Sequence, residues 1–292
     1  MTTIDNPRRG IVTMIAAAFS FSIMLAAAKH LAATMPVIEI VFFRALATSL
    51  AALPILILLR SSPLGSNPPL VITRGVLGFV ALSLNFYAHA HLPLNDASVL
   101  AQTSVLFTPV VAFLLLHEKI TTRIAALTIT AFVGVLLIVR PSTEFLNIPG
   151  LAGVGSGLLT GIVFVAIRKL HSTDHWSTIV FSFSVISCLG ALLVGHSSFR
   201  WPTESEITPI LVLGVAGSLG QYLMTNALRY STAPVVTHYT FTQVVFALIW
   251  GMLLWGVVPT PLSILGSVLI VGAGVGILRS QPAIITSEAR VN

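Results

Sequence analysis

The chain has 292 residues, 55% of them hydrophobic and 8% charged, and its mean hydropathy is +0.97. Soluble domains carry roughly a quarter charged residues, so composition alone excludes a soluble enzyme or binding module. The net charge of +6 is spread along the chain rather than gathered into a patch, which excludes a nucleic-acid interface.

Ten apolar runs follow one another, at about 10–28, 36–59, 70–91, 95–117, 122–139, 149–167, 176–195, 207–227, 232–255 and 261–278. Each is long enough as a helix to cross a hydrocarbon core about 30 Å thick. Arg8 and Arg9 precede the first run, but that run is one of ten alike and reads as a span, not a signal peptide. The connections are short, so residues 1–292 are expected to form a single all-α transmembrane domain of the bacterial cytoplasmic membrane. Assigning the flanking cations to alternate connections puts Arg8, Arg9, Arg60, Arg74, Lys119, Arg123, Arg168, Lys169, Arg229, Arg279 and Arg290 on one side. Only Lys29, Arg140 and Arg200 fall on the other. By the positive-inside rule both termini are expected in the cytoplasm. The single cysteine, Cys188, excludes an internal disulfide or a Cys-rich metal site.

Residues 37–140 align without a gap on residues 176–279 at an offset of 139. Ile40, Val41 and Phe42 recur as Ile179, Val180 and Phe181; Gly75, Val76 and Gly78 recur as Gly214, Val215 and Gly217. The halves, 10–140 and 149–279, hold five spans each, and an odd number makes the second half enter from the opposite side. Two inverted repeats meeting at a midplane site are the architecture of secondary transporters. No run of pore-lining glycines or acids suggests a channel filter.

Several stretches carry a family resemblance. They are "EIVFFRAL" in the second span, "LLLHEKIT" ending the fourth, "AALTITAFVGVLLIV" in the fifth, and "LLWGVVPT" with "SILGSVLIVGAGVGI" in the second half. With them the chain resembles the ten-helix EamA-type branch of the drug/metabolite transporter superfamily. "AAAKHLA" together with "EIVFFRAL" is similar to members that carry amino acids or S-adenosylmethionine, the aromatic amino-acid exporters most of all. Val257 departs from the pattern, standing where a glutamate like Glu118 often recurs.

Polar groups inside spans are costly in lipid and are expected to face the bundle interior. Arg44 lies about 12 Å deep in the second span at helical rise, and its mate at the 139-residue offset is Phe183. Two readings of Arg44 stand: an anchor bonded to helix-end carbonyls or snorkelling, and a receptor for a substrate carboxylate. Glu39, five residues away, points elsewhere on the helix. Ser83, Tyr87 and His91 share one face of the third span, beside Asn85 and His89. The mates of Ser83 and Tyr87 are Tyr222 and Asn226. Thr103 and Phe107 in the fourth span match Thr242 and Phe246 in the ninth. Gln102 lies beside the first pair, and His238 beside a stripe of Tyr239, Gln243, Phe246 and Trp250. The candidate substrate-binding set is therefore Arg44, Ser83, Asn85, Tyr87, Gln102, Tyr222, Asn226, His238, Tyr239, Gln243 and Trp250.

No P-loop, dinucleotide turn or nucleophile constellation appears, so neither catalysis nor a cofactor is expected. His171, Asp174 and His175 are read as surface residues too few to hold a metal. The intramembrane acids that a cationic-drug exchanger needs are missing. The expected function is export of aromatic and other neutral amino acids by alternating access, with a small molecule and membrane lipid as partners and nothing that requires more than a monomer. Uptake of S-adenosylmethionine is the alternative, and a channel or receptor is the alternative of another class.

Overall fold

The computed structural model describes residues 6–92, 99–117, 121–139, 147–196, 199–256 and 258–280, excepting the side chains at 89, 90, 254 and 255. Glu118, Lys119, Arg140, Val257, Arg290 and the His89 side chain thus lie outside the described residues.

Ten helices are long and apolar enough to cross a membrane among the described residues. They are α1 (Pro7–Leu31), α2 (Val37–Leu58), α3 (Pro68–His91), α4 (Val99–Leu116), α5 (Thr122–Val139), α6 (Ile148–Leu170), α7 (Trp176–Gly195), α8 (Glu204–Tyr230), α9 (Ala233–Leu253) and α10 (Pro261–Ser280). Their starts follow from local chemistry. Asn6, Asn67 and Asn147 each cap a helix with the side-chain oxygen, accepting from the backbone N–H of Arg9, Leu70 and Gly150, and a proline sits in the first turn of all three. α8 opens with a capping box in which Thr203 and Glu206 satisfy each other's backbone N–H groups. That polar first turn carries α8 three residues beyond its apolar run.

Equivalent positions in the two halves do equivalent things. α4 is interrupted at Thr103, and α9 passes through a 3₁₀ turn over His238–Phe241 before Thr242. In each, a threonine hydroxyl donates back to the carbonyl three residues earlier: Thr103 to Leu100 at 2.5 Å, Thr242 to Tyr239 at 2.6 Å. α4 ends on His117 and α9 on Gly256, both left-handed, with φ of 56° and 65°. Those two positions are also 139 apart.

The helices of one half pack mainly on those of the other. α1 runs along α8 and α6 along α3; α2 crosses α7, α5 crosses α10, and the pairs α3–α7 and α2–α8 complete the centre. Serine hydroxyls pin the first two pairs, Ser20 to the Ala216 carbonyl and Ser156 to the Ala81 carbonyl, both at 2.9 Å. At the centre glycines set the separation. A Cβ at Gly214 would stand 2.6 Å from Cβ of Ala47, and one at Gly75 would clash with Ile186. Ala47 and Ile186 are themselves mates, as are the two glycines, so α2 on α8 and α7 on α3 meet through the same contact.

Candidate functional site

One turn further along, the same pairs of helices meet again. Gly217 on α8 faces Arg44 and Met24; its mate Gly78 on α3 faces the ring of Phe183, where a Cβ would lie 2.9 Å from Cε2. Arg44 and Phe183 therefore occupy equivalent places, each lying on a glycine of the opposite half. The frame is shared and the chemistry differs, because one half supplies a guanidinium and the other a ring.

Arg44 is 5% exposed. Its Nε donates to Sδ of Met24 at 3.2 Å and its Nη2 to Oε1 of Gln221 at 3.3 Å. Neither bond goes to a helix-end carbonyl, and the head group stays inside the bundle. Gln221 also donates to Thr225 at 3.5 Å.

A second arginine meets the first. Arg74 was counted above among connection residues; it lies instead in the second turn of α3 and is 1% exposed. Its guanidinium carbon stands 4.1 Å from the Phe183 ring centroid, with that of Arg44 at 5.9 Å from the same ring. Neither Nε nor Nη1 of Arg74 has a hydrogen-bond partner among the described residues. Among the described residues no carboxylate pairs with either arginine. A central arginine costs about 2.5–3.5 kcal/mol on insertion scales, and a cation–π contact returns only about 0.5–2 kcal/mol. Among the described residues this positive charge is therefore met by an amide, a thioether and a ring, and by no anion.

A groove of about 420 Å³ opens beside the crossing, lined by α2, α3 and α7 and reaching Val41, one helical turn before Arg44, and Phe79, which follows Gly78. Ser83, Tyr87 and His91 line it, as their common face requires. The Ser83 hydroxyl has no partner among the described residues, and the Tyr87 and His91 rings pack at 4.2 Å, tilted by 34°. Asn85 is half-buried on the neighbouring face of α3. The other expected residues do not join this group. Tyr222 packs edge-on against Trp176 at 4.5 Å, and Asn226 donates to the Tyr222 carbonyl at 2.9 Å. Tyr239 spends its hydroxyl on the Gly274 carbonyl at 2.7 Å, and Trp250 donates to Ser22 at 2.9 Å. Gln102 is buried in α4 and Gln243 half-buried in α9. His238 is 1% exposed, with neither ring nitrogen bonded among the described residues, and its ring meets those of Tyr239 and Phe241 edge-on.

Both ends of the crossing are clasped across the halves. At the end where α1 joins α2, Arg200 forks onto Glu206, with Nη2 to Oε1 at 2.5 Å and Nη1 to Oε2 at 2.9 Å. It also donates to the Thr34 carbonyl at 2.8 Å, while the Thr34 hydroxyl donates to Glu206 at 2.6 Å. The hydrogen bonds to Glu206 hold the Arg200 guanidinium above its ordinary pKa. Glu39, fully buried, accepts from the backbone N–H of Arg200 at 3.3 Å. At the other end Asp174 accepts from the Ser66 backbone N–H at 2.5 Å and the Thr173 hydroxyl at 2.6 Å. Thr178 and Ser182 donate to the carbonyls of Ser62 and Pro63.

The reading of His171 and Asp174 as surface residues is overturned, because they are 2% and 6% exposed. The His171 Nε2–H donates to the Thr225 carbonyl at 2.6 Å. Burial pulls its pKa down to about 4, against the opposing pull of that bond. Among the described residues no group of three metal-ligating side chains is assembled.

Comparison with known proteins decides the class. A family model described as the EamA-like transporter family matches twice, over residues 8–140 and 148–279. The chain belongs to the EamA-like transporter family. It is 35% identical over 283 residues to the pseudopaline exporter CntI of Pseudomonas aeruginosa (strain UCBPP-PA14), covering 95% of this chain and 99% of that one. It is 27% identical to human solute carrier family 35 member G1, over 92% of this chain and 79% of that one. With the S-adenosylmethionine uptake transporter of Rickettsia bellii it shares 24% identity over 87% of each chain. A solved crystal structure superposes with a TM-score of 0.79 at 16% identity, over 91% of this chain and 95% of that one, and so has the same fold. This EamA-like chain is a multi-pass protein of the inner membrane.

Proposed function

We propose that the chain is a secondary transporter that exports a small polar metabolite of the metallophore kind, moving it past the crossing of α2, α3, α7 and α8 by alternating access. The observation that carries this reading is the buried Arg44–Gln221 pair at a crossing where helices of both halves touch through glycines. Glycine contacts allow one half to slide or rock on the other without tearing interdigitated side chains. Matched interruptions in α4 and α9 and matched helix pairings support two repeated halves, and the excess of Lys and Arg on one side supports both termini in the cytoplasm. The similarity to a pseudopaline exporter along nearly the whole chain supports outward transport of a related compound.

Neutral amino acids remain comparators, since a zwitterion offers one carboxylate to Arg44. Uptake of S-adenosylmethionine fits less well, because its sulfonium cation would approach two arginines with no acid beside them. Inverted membrane vesicles offered pseudopaline, phenylalanine, threonine, methionine and S-adenosylmethionine in turn test this. Saturable accumulation of pseudopaline is expected. Movement of S-adenosylmethionine alone, into right-side-out vesicles and not inverted ones, would transfer the function to uptake, and movement of the amino acids alone into inverted vesicles would restore the amino-acid exporter.

A further inference from the structure

We infer that Arg44 and Arg74 together form a receptor for a dianion, a small molecule carrying two carboxylates on one short carbon skeleton, with Arg74 setting the requirement for the second charge. The inference rests on the exporter reading, whose crossing it takes as the transport site.

Three features carry it. Arg74 is 1% exposed, and among the described residues two of its three guanidinium nitrogens have no acceptor, so buried charged donors are left available to a ligand. Arg44 is only partly satisfied, by a neutral amide and a thioether. Both guanidinium groups are set against one ring, Phe183, and Gly78 lets that ring come close to α3 beside Arg74. Guanidinium groups bind carboxylates through two parallel N–H···O bonds, and charge assistance makes such bonds strong away from water. One carboxylate neutralises one arginine and leaves the other buried and charged. A ligand bearing two neutralises both and lays its carbon chain on the Phe183 ring. The apolar walls favour such a carbon-linked dianion over inorganic phosphate, which has no apolar part to place there. The same event relieves the repulsion between two guanidinium groups set against one ring.

An arginine kept for binding and one kept for the fold behave oppositely when removed. If Arg74 serves a ligand, Arg74→Met deletes an uncompensated buried charge, so the empty protein becomes more stable while binding is lost. The test measures thermal unfolding of the full chain in detergent with glutarate, succinate, butyrate or phosphate added, for wild type, Arg74→Met and Arg74→Lys. Expected for wild type is a rise in midpoint of several degrees with glutarate or succinate, and at most half that with butyrate or phosphate. Arg74→Met should start higher than wild type and lose the dicarboxylate shift, and Arg74→Lys, which keeps the charge, should retain part of it. A lower starting midpoint with the shift intact would overturn the inference. So would equal shifts for butyrate and glutarate, a shift with phosphate alone, or no shift with any anion. Should Arg74→Met fail to fold, the wild-type ranking of anions and the Arg74→Lys shift still decide. Pseudopaline flux measured in parallel separates the two ideas. Flux that ignores Arg74→Lys and Arg74→Met sinks this inference and leaves the exporter standing; Arg74-dependent dicarboxylate binding without pseudopaline flux does the reverse.

Discussion

Arg74 holds its guanidinium carbon 4.1 Å over the ring of Phe183, the residue that stands in α7 where α2 carries Arg44. The second half thus answers an arginine with an aromatic face, and the third helix brings another arginine onto that face. The backbone is thus shared between the halves at this crossing while the side chains differ.

Close packing at that face makes Gly78 sensitive. Gly78→Leu would drive a side chain into the Phe183 ring, and overpacking of this kind costs about 1–3 kcal/mol. A fall of several degrees in the unfolding midpoint is expected, with loss of transport. An equal loss at Gly272, where an added Cβ meets none of the described residues within 4 Å, would contradict the crossing as the cause.

His117 ends α4 with φ of 56° where its mate Gly256 ends α9 with φ of 65°. A side chain in the left-handed region costs roughly 1–2 kcal/mol. His117→Gly is expected to raise the midpoint modestly, and Gly256→His to lower it. Thermal scans of both variants check the pair, and opposite signs are the required result.

His171 makes stability depend on pH. Its folded pKa near 4 lies below an unfolded value near 6.5, so between those values the unfolded chain binds the extra proton. Its contribution is complete above about pH 6.5 and is lost as pH falls toward 4, by up to about 3 kcal/mol. Midpoints recorded from pH 7.5 to 4.5 should decline for wild type and decline less for His171→Gln, whose amide still donates to the Thr225 carbonyl. Parallel curves would show that His171 is not the titrating group.

Arg200 forks onto both oxygens of Glu206 and also reaches the Thr34 carbonyl. A lysine cannot reproduce that planar fork. Arg200→Lys should therefore loosen this end of the bundle nearly as much as Arg200→Gln. Hydrogen exchange of the 32–36 and 199–206 backbone checks it, and full protection in Arg200→Lys would mean that charge alone suffices.

Much of the fold was legible because hydropathy reports helices directly: the expected runs 122–139 and 176–195 match α5 and α7 residue for residue. α8 was cut short at 207 because Glu204 and Glu206 look like a loop, although Thr203 followed by Glu206 is a capping signal. The glycine mates Gly75–Gly214 and Gly78–Gly217 were visible as identities, but that they are crossing points depends on contacts between halves that no spacing reveals. Arg74 was missed for a physical reason. It sits one turn past two prolines, where cations usually reach water, and its mate is the apolar Leu213, so neither position nor repetition marked it. Tyr239 and Trp250 carried a convincing stripe, yet their polar tips serve Gly274 and Ser22, because an amphipathic ring in a span joins helices as readily as it lines a cavity.

The most direct test is the initial rate of pseudopaline uptake by proteoliposomes holding wild type or Arg44→Gln at equal protein density. Loss of charged hydrogen bonds worth about 1.5–3 kcal/mol corresponds to a roughly 10- to 150-fold lower rate at limiting substrate. A fall of that size with the midpoint of unfolding preserved is the expected result. An unchanged rate would mean that cargo does not pass the Arg44 crossing, and would contradict the account.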